Sequence, residues 1–123
     1  MTLIRGLRTI SYPTPDLAEG KAWYTRVLER EPYFDEPFYV GYNVGGFELG
    51  LVPDGIPGAA GVVAFWGVED CEAALTRLVE MGAPVRGPVQ DVGGGIKVAT
   101  VADPFGNTFG IIENPFFNPN EVR

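Results

Sequence analysis

The chain has 123 residues, 46% hydrophobic and 20% charged, which is typical of one ordinary globular domain. Its net charge is −7 with only nine basic residues, so we expect no nucleic-acid partner, because phosphate binding needs many Lys and Arg side chains. The chain has no histidine and one cysteine, Cys71, which excludes a Ser-His-Asp triad, a Cys-His dyad, a structural zinc site and an internal disulfide.

The first half of the chain predicts one strand, one helix and three further strands. Residues 4–12 carry apolar and β-branched residues and form the first strand. A helix over 17–29 follows, because Glu19 lies three residues after Asp16, at capping-box spacing, and the apolar residues share one stripe. The three strands that complete this half are predicted at 33–36, 38–44 and 47–53.

The second half repeats this order. A Gly/Pro/Ala segment at 54–60 links the halves, an apolar strand spans 61–68, and a helix spans 70–81. Three strands follow at 84–90, 96–102 and 108–113. The repeat predicts one domain over 1–123, with unit one at 4–53, the linker at 54–60, unit two at 61–114 and a tail at 115–123.

Aromatic and turn residues are assigned mainly to structure. Trp23 and Tyr24 lie on the apolar helix stripe, and Phe109 alternates away from the predicted cleft, so we expect all three in the core. Asp103, Gly106 and Asn107 are typical of a tight turn. Trp66 is left open between a core residue and a stacking wall for a planar ligand.

Three segments carry a family resemblance: TISYPTPDLAEGKAWYTRVLE at 9–29, FELGLV at 47–52 and DPFGNTFGIIEN at 103–114. Together they resemble the glyoxalase / bleomycin resistance protein / dioxygenase (vicinal oxygen chelate) superfamily. The resemblance implies an α+β fold of two βαβββ units per chain, whose mixed sheets curl into a half-barrel around a cleft. It also implies a homodimer, and the aromatic tail residues Phe116 and Phe117 are candidates for its interface.

Metal-using members of that family take one ligand from each of four strands, usually His or Glu. By resemblance, these positions fall on Thr9, Glu48, Val62 and Gly110. Only Glu48 can hold a cation, and one carboxylate is far short of the three or four ligands that a catalytic transition metal needs. We therefore expect no metal and no cofactor.

The resemblance also places a small-molecule cleft on these strands. Since alternate side chains share a strand face, the predicted lining is Thr9, Ser11, Glu48, Val62, Trp66, Thr108 and Gly110. In an apolar cleft the pKa of Glu48 would tend upward, so that it serves as a general base or as a counter-ion to a cationic ligand. The alternative is a carboxylate that is solvated or hydrogen-bonded to Tyr or Arg neighbours.

The main hypothesis is a metal-independent protein that binds or sequesters a small hydrophobic, aromatic or cationic molecule. The alternative is a glyoxalase-like lyase, isomerase or dioxygenase that uses Glu48 as base or metal ligand. A third hypothesis is an interaction subunit without a ligand. No apolar run approaches the ~20 residues that cross a bilayer, and arginines interrupt the N-terminal segment, so we expect a cytoplasmic protein without a membrane partner.

Overall fold

The computed structural model describes residues 7–60 and 63–121. Each half contributes one helix and four strands, in the predicted order. The elements of the first half are β1 (Thr9–Pro13), α1 (Leu17–Leu28), β2 (Phe34–Glu36), β3 (Tyr39–Val44) and β4 (Phe47–Val52). Those of the second half are β5 (Ala64–Gly67), α2 (Cys71–Glu80), β6 (Val85–Asp91), β7 (Lys97–Ala102) and β8 (Thr108–Glu113).

Each half forms its own four-stranded sheet. The strand order is β1-β4-β3-β2 in the first sheet and β5-β8-β7-β6 in the second. In each sheet the first strand pairs in parallel with the last, and the other pairings are antiparallel. The fold is thus the predicted α+β arrangement of two βαβββ units, with two mixed sheets that are not closed into a barrel.

Both helices begin at an aspartate cap. The Asp16 carboxylate accepts a bond from the Glu19 backbone N–H (3.1 Å), and Asp70 accepts one from the Ala73 N–H (3.0 Å). These bonds satisfy donors that have no partner inside the helix. Gly82 ends α2 at φ +92°, a conformation that glycine adopts readily. Among the described residues, no helix is long and apolar enough to cross a membrane.

One hydrophobic core joins the two halves. Trp23 and Tyr24 of α1 pack on Phe109 of β8, with ring centroids 5.9 and 6.0 Å apart. Tyr12 of β1 stacks on Tyr24 at 5.7 Å, and the Trp66 indole N–H of β5 donates to the Tyr12 hydroxyl at 3.0 Å. The predicted core roles of Trp23, Tyr24 and Phe109 are confirmed.

The turn between β7 and β8 forms a buried polar junction. The Asp103 carboxylate accepts bonds from the Tyr24 hydroxyl, the Asn107 amide and the backbone N–H groups of Phe105 and Asn107. The Asn107 amide also donates to the Pro13 carbonyl at 2.7 Å. Because these bonds connect unit one to unit two, the turn is structural, as its composition predicts.

One of the two edge strands in each sheet, β2 in the first and β6 in the second, differs from a regular edge. β2 has three residues, all exposed, and Pro37 follows it directly. The β6–β7 pairing has register shifts between Val85 and Gly87 and between Gly87 and Gln90. Both outer edges are therefore short or irregular.

Candidate functional site

The candidate residues fall into two groups on the outer faces of the two sheets, opposite the core. In the first sheet, Thr9 pairs directly with Glu48, and Ser11 pairs with Gly50. Thr108 and Gly110 lie two residues apart on β8 of the second sheet. The structure thus brings together Thr9, Ser11 and Glu48 in the first sheet, and Thr108 and Gly110 in the second.

Glu48 is the centre of the first group. Tyr33 donates its hydroxyl to one carboxylate oxygen of Glu48, and Tyr39 donates to the other. Burial raises the pKa of the Tyr39 phenol, so this donor keeps its proton at neutral pH. Glu48 is therefore held by tyrosine neighbours, which was one of the two alternatives that the sequence left open.

Two glycines make room for these phenols. A Cβ atom on Gly50 would lie 2.2 Å from the Tyr39 hydroxyl, and one on Gly41 would lie 3.0 Å from the Tyr39 ring. Gly41 and Gly50 are cross-strand partners in the β3–β4 pairing. The missing side chains allow the Tyr39 ring to lie across the sheet and reach Glu48, since glycine permits close approach.

An open depression of about 440 Å³ adjoins this arrangement. It is lined by Arg8, Thr9, Tyr33, Asn43, Gly46, Phe47 and Glu48. All seven residues belong to the first unit, so the second sheet does not contribute to its wall. The lining combines one guanidinium, one carboxylate, one phenol and one phenyl ring, which can orient a small polar aromatic molecule.

The second sheet presents an aromatic ring instead of a carboxylate. Phe65 pairs with Gly110 and lies on its outer side, where a Cβ on Gly110 would be 2.7 Å from the Phe65 ring. The prediction that Trp66 shares this face is wrong, because paired residues share a face and Phe65 takes the position opposite Gly110. The Trp66 ring instead packs against the core. The predicted position Val62 lies outside the described residues.

The residues present do not fit the family's metal site. Both oxygens of Glu48 accept phenolic bonds, Thr9 is a weak ligand and Gly110 has no side chain. Within the two described segments, no group of three His, Cys, Asp or Glu side chains lies close enough to hold a metal ion. We therefore derive no chemistry through a metal.

Cys71 does not provide a reactive group. Its side chain is buried at the start of α2. Burial, and then the carboxylates of Glu113, Asp70 and Glu72, raise the pKa of the thiol. A thiol with a raised pKa is a poor nucleophile at neutral pH.

Sequence reasoning missed Tyr33, Tyr39 and Phe65. The signal for the tyrosines was Gly41 and Gly50, two glycines inside predicted strands, which often mark the close approach of another group. The signal for Phe65 was weaker, since GVVAFWGV has no alternation from which a face could be assigned.

A family model described as Glyoxalase/Bleomycin resistance protein/Dioxygenase superfamily matches residues 6–111. Comparison with curated proteins gives no match.

Several solved structures have similar folds. A lactoylglutathione lyase from Agrobacterium tumefaciens is 20% identical with a TM-score of 0.76, covering 92% of this chain and 96% of that one. TnmS3, an antibiotic binding protein from Streptomyces sp. CB03234, is 25% identical with a TM-score of 0.72, covering 92% and 98%. TioX from Micromonospora sp. ML1 is 20% identical with a TM-score of 0.68, covering 88% and 98%.

Proposed function

Because the chain belongs to the glyoxalase/bleomycin resistance protein/dioxygenase superfamily, we propose that it binds a small hydrophobic or aromatic molecule on its outer sheet faces without using a metal. The observation that carries this proposal is the hydrogen bonding of the Glu48 carboxylate. It is the one acidic residue at the family's ligand positions, and two phenols occupy its carboxylate. Binding needs shape, apolar contact and a few placed polar groups, and the depression beside Glu48 offers these.

The similarity to an antibiotic binding protein is consistent with this proposal. That relative shares the fold over nearly its whole length, and its described role is binding. Fold similarity alone does not give function, so the argument rests on the site. Aromatic rings around an open depression favour a planar ligand, because flat rings stack with little loss of conformational freedom.

A cationic ligand is the narrower form of the proposal. Glu48 could balance a positive charge, but an ammonium group would have to share the carboxylate with Tyr33 and Tyr39. Arg8 lines the same depression and repels a cation. We therefore favour a neutral aromatic ligand at the first sheet.

We also propose that a second copy of the chain covers the outer faces. The depression is walled by one unit only, and Phe34 and Phe38, whose rings lie 5.9 Å apart in the same unit, are 38% and 65% exposed. Phe116 and Phe117 of the tail are exposed as well. Aromatic surfaces of this kind are usually covered by a partner. Light scattering at micromolar concentration should give the dimer mass, and a monomer mass would contradict this part.

The binding proposal is tested by titration with neutral planar aromatics. 2-Naphthol should bind the purified protein saturably, and its affinity should be the same with and without EDTA. Elemental analysis should show far less than one transition metal per chain. Stoichiometric zinc, nickel, iron or manganese, or affinity that EDTA abolishes, would refute metal independence.

An enzyme that uses Glu48 as base is the second candidate. It is favoured by one observation: Glu48 is only half-buried and faces the depression, so a substrate can reach it. Glu48→Gln keeps size and removes the base. Under the enzyme hypothesis, turnover of a dicarbonyl substrate falls by about 10²–10⁴ with binding nearly intact. Under the binding hypothesis there is no turnover to lose, and 2-naphthol affinity changes little.

A further inference from the structure

The outer face of the second sheet carries an arginine with spare hydrogen-bonding capacity. Arg86 of β6 donates from Nη2 to the Gly106 carbonyl at 2.8 Å and from Nη1 to the Thr108 hydroxyl at 3.2 Å. A guanidinium has five N–H donors, so three remain for a further partner. The two bonds hold the Arg86 guanidinium in place over the first residue of β8.

This arginine is not neutralised by a carboxylate in the described part of the chain. The ion pairs found there are Lys21–Asp35, Arg77–Glu29 and Lys97–Glu72. The two bonds that Arg86 makes go to a carbonyl and a hydroxyl oxygen, so its positive charge stays available to an anion. A guanidinium binds planar carboxylates through two parallel bonds, so its geometry selects that group.

An apolar ring lies nearby on the same face. Phe65 is 45% exposed and rests on Gly110, the position two residues after Thr108 along β8. Two residues of a strand span about 7 Å. Arg86 at Thr108 and Phe65 at Gly110 are therefore separated by a distance similar to that between a fused ring and its carboxylate.

The residues beside Arg86 and Phe65 on this face have small or uncharged side chains. Thr100 pairs with Gly110 on β7, and its hydroxyl lies against Gly87 of β6, 2.8 Å from where a Cβ would be. Ile112 continues the apolar surface beyond Gly110. An aromatic ring at one end and a cation at the other match a molecule with a flat apolar body and one anionic end.

We propose that this face binds a planar aromatic carboxylate, with Arg86 holding the carboxylate and Phe65 stacking on the ring. The proposal deepens the proposed function, since it rests on the binding of aromatic molecules to the outer sheet faces. It assigns the anionic end of the ligand to the second sheet, and it contrasts with the phenol-bound carboxylate of the first sheet.

Calorimetric titration with 2-naphthoate and its neutral analogue 2-naphthamide tests the proposal. In the wild-type protein, naphthoate should bind more tightly than naphthamide. Arg86→Gln should weaken naphthoate about 10- to 100-fold, the loss expected for a charge-assisted bond, and should leave naphthamide nearly unchanged. Arg86→Lys should recover part of the naphthoate affinity, because it keeps the charge but not the fork. Phe65→Leu should weaken both probes.

The matched control is Arg77→Gln, which removes the same charge from an exposed helical pair with Glu29. It should leave both affinities unchanged. Thermal melting checks that Arg86→Gln folds, and Arg86→Lys keeps the test valid if it does not.

Four outcomes would overturn the proposal. Equal loss for both probes in Arg86→Gln would mean that the arginine only supports the turn. Naphthoate affinity that falls in Glu48→Gln but not in Arg86→Gln would place the ligand on the first sheet, and the proposed function would stand. Binding of naphthamide without naphthoate would reject the anion site alone, whereas binding of neither probe would count against both proposals.

Discussion

The outer faces of the two sheets share one packing feature but differ in their chemistry. In each sheet a glycine on the strand paired with the first strand leaves space for an aromatic ring: Gly50 for Tyr39, and Gly110 for Phe65. On the first face the ring carries a hydroxyl that reaches Glu48, whereas on the second face the ring is plain phenyl. A repeated fold can therefore keep its packing and change the chemistry of a surface with few side chains.

This comparison requires that the two sheets form one folded body. Substitution of Asp103, whose bonds connect the two units, tests this requirement. Asp103→Ala removes the acceptor of four buried bonds and leaves the Tyr24 hydroxyl and the Asn107 amide without it. Unsatisfied buried donors are costly, so the free energy of unfolding should fall by about 3–5 kcal/mol in urea denaturation.

Asp54→Ala, at an exposed position in the linker, is the control and should change stability by less than about 0.5 kcal/mol. Two separate transitions in wild-type unfolding would show that the units fold independently.

The two glycines should differ in their tolerance of a methyl group. A Cβ on Gly110 would lie 2.7 Å from the Ala64 carbonyl oxygen, which is backbone and cannot turn aside, whereas on Gly50 it would meet the Tyr39 side chain. Gly110→Ala should therefore cost about 3 kcal/mol and Gly50→Ala about 1 kcal/mol, as measured by chemical denaturation.

Gly67→Ala supplies the control for both, because, apart from its chain neighbours, no heavy atom in the described part of the chain lies within 4 Å of its Cβ position. It should be neutral or stabilise by up to about 1 kcal/mol. Equal losses of stability for Gly50→Ala and Gly110→Ala would mean that the Tyr39 side chain and the Ala64 backbone are displaced equally easily, which would contradict the expected difference.

The core between the faces should weaken at alkaline pH. Burial chiefly raises the pKa of Tyr12 to about 12, with a smaller contribution from Asp103 against the opposing effect of the Trp66 bond. An unfolded tyrosine ionises near its usual pKa of about 10. The stability that the buried, neutral Tyr12 contributes is therefore fully present below pH 10 and is lost as the pH rises to 12. The loss from Tyr12 should be roughly 2–3 kcal/mol.

Unfolding free energies of the wild type and Tyr12→Phe between pH 9 and 12 measure this contribution. The variant should have a shallower alkaline decline, and some decline should remain because burial also raises the pKa of Tyr24. Parallel curves for the two proteins would show that Tyr12 does not titrate with unfolding.

The smallest expected effect separates the two phenols at Glu48. Tyr39 is half-buried and Tyr33 is 63% exposed. Tyr39→Phe should therefore cost about 1 kcal/mol of stability, and Tyr33→Phe less than about 0.5 kcal/mol. Denaturation of both variants, with Tyr33/Tyr39 double replacement to detect coupling, measures the difference. A larger cost at Tyr33 would contradict the order set by burial.

Most of the fold could be predicted from the sequence because its signals are local. The cap at Asp16 and the Asp103 turn mark boundaries with residues whose preferences do not depend on distant contacts. The strand face of Trp66 could not be predicted, because an evenly apolar segment gives no period and only pairing with β8 decides its phase.

The candidate site was predictable only in part for a similar reason. By resemblance, Thr9 and Glu48 were both assigned to the cleft lining, and the structure places them as cross-strand partners. The Tyr39 phenol reaches Glu48 from the neighbouring strand and the Tyr33 phenol from the segment before β2. Such contacts depend on how far a ring can lie over a glycine. The ligand-binding roles of Thr9, Glu48 and Val62 remain predictions.

The shape of the outer edges affects how the protein behaves when it is concentrated. β2 is three residues long, bears Asp35 and Glu36 and stops at Pro37, while β6 has irregular pairing and contains Pro88. Charge, proline and bulges at an edge oppose the addition of a further strand from another molecule. Growth of strand-paired aggregates from these two edges is thereby disfavoured, which leaves the sheet faces as the favoured surfaces for a second copy on this side of each sheet.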